Sequence, residues 1–142
     1  MNWRDEGIEL DTEMKQVLAE LASFLDCWGR HDEAVTLLTG LQHLVVYKEV
    51  PLGQLAVTLA GRGRLPEALS TIDCALSYNP ESTQNHIKRA EILFRMGDVE
   101  GAWTAAQSAR RLGRMTEQDA AYLDTLNTEI ASRRREIEGV RS

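Results

Sequence analysis

The chain has 142 residues, 43% of them apolar and 27% charged, a composition that suits one globular domain with a real core. Its formal net charge of -6 sits in the front third: residues 1–49 hold ten acids against four bases, whereas residues 50–142 hold twelve of each. That balance excludes a uniformly basic nucleic-acid footprint, and no apolar run approaches the roughly 18–20 residues needed to cross a bilayer.

Residues 1–14 are acidic, with Trp3, Ile8 and Leu10 set among the carboxylates. They read as a short helix or as an arm that orders against a partner, with Trp3 as a contact for that partner. The absence of an apolar signal core here predicts a cytoplasmic protein.

From residue 15 a helical apolar pattern begins and then repeats. "CWGRHDEAVTLL", "GRGRLPEALSTI" and "RMGDVEGAWTAA" share one grammar, and the turn glycines Gly29, Gly63 and Gly97 stand 34 residues apart. Three further columns keep the same step: Ala22, Ala56 and Ala90; Leu25, Leu59 and Leu93; Ala34, Ala68 and Ala102. Glycine ends a helix because a left-handed backbone costs it little. Acids and proline then favour the next helix start, as in Asp32-Glu33, Pro66-Glu67 and Asp98 with Glu100. The alanines are small where two helices must approach, and the leucines fill the space between them. Helix pairs are expected at Lys15–Trp28 with Asp32–Val46, at Glu49–Arg62 with Leu65–Tyr78, and at Thr83–Met96 with Val99–Leu112. Asn79-Pro80 stops the middle copy, since proline cannot continue a helix and restrains its predecessor.

Residues 115–142 predict one more helix. Thr116 with Asp119 forms a capping-box pattern, and Ala120, Leu123, Leu126 or Asn127, and Ile130 make an apolar stripe. Such a helix covers the open face at the end of a stacked array.

A 34-residue period with this grammar resembles the tetratricopeptide repeat (TPR) family over residues 15–114. The third copy departs from the pattern, with His86 and Arg89 at large apolar positions and Arg114 at the place of Pro80. The resemblance implies an all-α fold: a three-repeat TPR helical solenoid with a C-terminal capping helix. It also implies a concave groove lined by the first helix of each pair. The positions carried onto that face are Gln16, Ala19, Ser23, Asp26 and Cys27, then Val50, Gly53, Val57, Ala60 and Gly61, then Gln84, Ile87, Glu91, Phe94 and Arg95. The middle set has no polar side chain, so the groove is expected to hold an apolar or amphipathic segment of a partner. Gly53 and Ala60 have a second reading, as small residues that let repeats pack. Clamps for acidic carboxyl termini use lysine, arginine and asparagine on this groove; here only Arg95 is basic, which argues against that use.

Chemistry is not expected. His31, His43 and His86 share no ligand spacing, no phosphate loop occurs, and Cys27 and Cys74 read as reduced thiols in a helical core. Neither a metal nor a cofactor is predicted. The "RRRE" run at Arg133 invites a nucleic-acid reading, but Glu129 stands four residues before Arg133 and cations suit a helix end. Trp28 and Trp103 read as core, and His31 as a solvated turn residue. The function expected is a non-catalytic protein-binding chaperone or adaptor. "VLAELASFLDCWGRHDEA" resembles the opening of type III secretion chaperones of the needle-subunit type, which implies a small helical or aggregation-prone export substrate as partner. Two alternatives remain: a scaffold that dimerises, and an RNA-associated regulator acting through the arginine-rich end.

Overall fold

The computed structural model describes residues 18, 21–23, 25–42 and 49–141. Gly29, Gly63 and Gly97 take φ of 77°, 79° and 86°, the left-handed region that strains any side chain. Each ends a helix with the same two bonds. The glycine N–H donates three residues back, to the carbonyl of Asp26, Ala60 or Phe94, at 2.9–3.1 Å. The next N–H donates five residues back, to Leu25, Leu59 or Leu93, at 2.8–3.0 Å. This is the Schellman arrangement, and it recurs at the 34-residue step of the sequence.

Residues 21–23 and 25–27 are helical. After them come α1 (His31–Gln42), α2 (Glu49–Gly61), α3 (Leu65–Tyr78), α4 (Thr83–Arg95), α5 (Val99–Leu112) and α6 (Glu117–Arg141). The second and third hairpins thus lie within a residue of their predicted limits. The predicted end of α1 at Val46, like His43 and residues 1–14, lies outside the described residues.

The chain divides into two units, Met1–Tyr78 and Asn79–Ser142. In the first, α1 packs on α2 and α2 on α3. Ala22, Ala34, Ala56 and Ala68 are at most 1% exposed, so a larger side chain at any of them would collide with the facing helix. Ile72 and Leu38 fill the remaining space, each worth roughly 1.5–3 kcal/mol of burial. Pro51 is buried in the first turn of α2, where a missing N–H costs nothing.

The residue before each second helix and the one three further on form another pair of columns. Arg30 donates to Glu33 and Arg64 to Glu67, each through Nε and Nη2 to both carboxylate oxygens. In the third copy the same two positions hold Asp98 and Gly101. Here Asp98 Oδ1 accepts from the Gly101 N–H at 2.9 Å and caps α5. A Cβ on Gly101 would lie 2.4 Å from Asp98 Oδ2, so this cap depends on the glycine.

In the second unit α4 packs on α5, α5 on α6, and α6 returns against α4. Ser82 caps α4 by accepting from the Asn85 N–H, and His86, far from an apolar role, bonds through Nε2 to the Pro80 carbonyl at 2.7 Å. Thr116 caps α6 by accepting from the Asp119 N–H at 3.1 Å. Leu123, Leu126, Asn127 and Ile130 of the predicted stripe are buried, whereas Ala120, its first member, is half-buried. Two ion pairs fix the antiparallel register of α5 and α6: Arg110 with Asp124 and Arg134 with Glu100, ten residues apart on either helix.

Candidate partner-binding surface

Four expectations about single side chains are corrected. Trp28 is 73% exposed, in the turn that follows the last helical residue, Cys27. Cys27 and Cys74 are free thiols but exposed rather than core. His31 is half-buried, and its Nδ1 meets Asp26 Oδ1 across the turn. Arg133 pairs with Glu136 at 3.2 Å, one turn ahead, and not with Glu129.

Of the groove positions in the first unit, Gln16 and Ala19 lie outside the described residues. Ser23, Cys27, Val57 and Gly61 are exposed, Val57 at 40%. Asp26 is drawn to His31. Val50 belongs to the first turn of α2. Gly53 and Ala60 are buried, so they serve packing and present no surface to a ligand. Gly61 has open space around its missing Cβ.

In the second unit the five positions separate. Ile87 is buried. Gln84 Nε2 donates to Asp119 Oδ2 at 3.3 Å, and Glu91 accepts a hydrogen bond from Tyr122; both partners are on α6. Burial first, and then the Glu91 bond, hold the Tyr122 phenol well above its ordinary pKa, so it stays a donor. Lys88, between these two contacts, is pushed below its usual value by burial, with Asp119 opposing. The terminal helix therefore engages the polar residues of α4 for itself. Phe94 and Arg95 remain open and line a cleft of about 700 Å³ with Val99, Ile137 and Val140. The repeat pattern does not mark the far end of α6 as a surface, although Ile137 and Val140 are spaced to share a helix face.

Arg134 donates to Glu100 and covers Trp103, and Arg133 is paired as well, so half of the arginine-rich end is committed to the fold. Among the described residues no group of three His, Cys, Asp or Glu is placed to hold a metal ion, and no helix is long and apolar enough to cross a membrane.

No protein-family model matches the chain, and no curated protein matches its sequence. Solved structures do. SycD, the type III secretion translocator chaperone of Yersinia enterocolitica, superposes with a TM-score of 0.76 at 16% identity, over 89% of this chain and 98% of that one. PcrH from Pseudomonas aeruginosa gives 0.74 at 21% identity, over 86% and 95%; its complex with the chaperone binding region of PopD matches too, at 0.72 and 20% identity, over 88% and 96%. The first TPR of Spaghetti (RPAP3), bound to an HSP90 peptide, gives 0.68 at 20% identity, over 87% and 98%. The all-α TPR fold read from the 34-residue period is thus the fold of the molecule, and it is similar to that of type III secretion chaperones. SycD is a translocator chaperone, whereas the sequence resemblance pointed to the needle-subunit type.

Proposed function

We propose that this chain is a non-catalytic chaperone of a type III secretion system that holds an apolar or amphipathic segment of an export substrate in the TPR groove. The observation that carries this reading is the likeness, over nearly the whole chain, to PcrH bound to a chaperone binding region. Exposed Val57 and Ser23 on the groove-facing helices supply surface for such a segment. The groove set, with Arg95 as its one base, favours an apolar ligand over the acidic peptide of a carboxylate clamp. Holding an apolar segment keeps an aggregation-prone substrate soluble, since the surface it would use to self-associate is covered.

The test is to recover a small secreted partner by pull-down from the native host and to co-express it with this chain. A soluble one-to-one complex, with the substrate insoluble when expressed alone, is the expected result. A substrate equally soluble without this chain, or equally insoluble with it, contradicts the proposal.

A further inference from the structure

Helix α6 begins as the first helix of a fourth repeat. Its cap Thr116 stands 34 residues after Ser82, the cap of α4, and each accepts from the N–H three residues on. Ala131 falls where the turn glycine would recur, and the helix runs on to Arg141 with no second helix of its own to close over it. Among the described residues α6 packs on α4 and α5 alone. It is held from one side.

The centre of that joint is polar. The column Leu25, Leu59 and Leu93 continues at Asn127, which is 7% exposed. Neither its Nδ2 nor its Oδ1 has a hydrogen-bond partner among the described residues. The ion pairs Arg110–Asp124 and Glu100–Arg134 set a register that brings Gln107 of α5 opposite Asn127, and Gln107 Nε2 is buried and unpartnered as well. A buried amide with no partner forfeits its hydration and receives nothing in return. Leucine at 127 would carry no such penalty, so the chain departs from its own pattern where α6 meets α5. At the rim, three of the four ion-paired side chains are more than half exposed, where such pairs add little.

We propose that α6 is a displaceable cover, which leaves α4 and α5 as a unit well before they unfold. The opening frees Gln84 from Asp119 and Glu91 from Tyr122, so two side chains of α4 that the closed form keeps for itself become available to a ligand. It is a property of the lone chain and does not depend on what the groove holds.

Native-state hydrogen exchange of the full chain, read by mass spectrometry, tests it. A helix stripped of its packing is marginal in water, so each undocking exposes its amides to exchange. The amides of residues 120–134 are expected to exchange as one group, roughly tenfold or more faster than those at the centres of α4 and α5. Asn127→Leu, which restores the column, is expected to slow that group by roughly tenfold or more. A common rate for all three helices in the parent overturns the proposal. So does an Asn127→Leu chain that fails to fold, or one whose α6 amides exchange as fast as the parent's.

Discussion

Arg134 Nε donates to Glu100 Oε1 at 2.9 Å while its guanidinium carbon lies 4.5 Å from the centre of the Trp103 ring. One side chain of α6 thereby holds two of α5. Lysine can supply the charge but neither the forked pair nor the flat stacking surface. Arg134→Lys is expected to lose about 1 kcal/mol of stability in urea unfolding. A loss equal to that of Arg134→Ala would confirm that geometry, and not charge, carries the contact.

The Asp98–Gly101 pair makes a prediction of unusual sign. Gly101→Ala gains about 0.8–1.0 kcal/mol of helix propensity but displaces the Asp98 cap, itself worth about 1 kcal/mol. The single variant should be nearly neutral. In an Asp98→Ala background, where no cap remains to displace, the same substitution should stabilise by nearly the full propensity gain. A double-mutant cycle in urea measures the difference.

How far the sequence could be read follows from the range of each interaction. The turn glycines and the Asn79-Pro80 stop act on their own backbone, and all are where the period put them. The alanine columns were legible because a 34-residue step returns each to the same seam. Pairings between helices were not. Nothing local marks Tyr122 as the partner of Glu91, or Glu100 as the partner of Arg134, because each pair is joined only when α6 folds back. Composition likewise misled for Trp28, Cys27 and Cys74: apolar character alone does not tell which face of a helix, or which side of its end, a residue occupies. Gly53 and Ala60 were small for both reasons considered, and their burial leaves the packing one.

Lys88 gives the pH dependence. Its folded-state pKa lies below the unfolded value of 10.5, so below the folded pKa its charge is carried at a cost that the unfolded chain does not bear. That cost fades as pH rises through the depressed pKa toward 10.5. Lys88→Met should therefore be more stable than the parent at pH 7, and the gap should narrow at alkaline pH. Urea midpoints at the two pH values check both the sign and the trend.

Small residues of the repeat should divide by burial. Gly61 has nothing within 4 Å of its missing Cβ, so Gly61→Ala should leave stability unchanged or slightly higher. Ala56 and Ala68 are 0% exposed, and either one changed to leucine should cost about 1–3 kcal/mol or more. Thermal unfolding of the three variants tests the division.

The most direct measurement is the affinity of the purified chain for the proposed export substrate, compared between the parent and Val57→Glu by isothermal titration. Val57 is 40% exposed, so the variant should fold normally. A charge placed among the apolar groove positions should weaken the complex by at least about 1–2 kcal/mol, or roughly tenfold. An equal affinity in the folded variant would contradict the account.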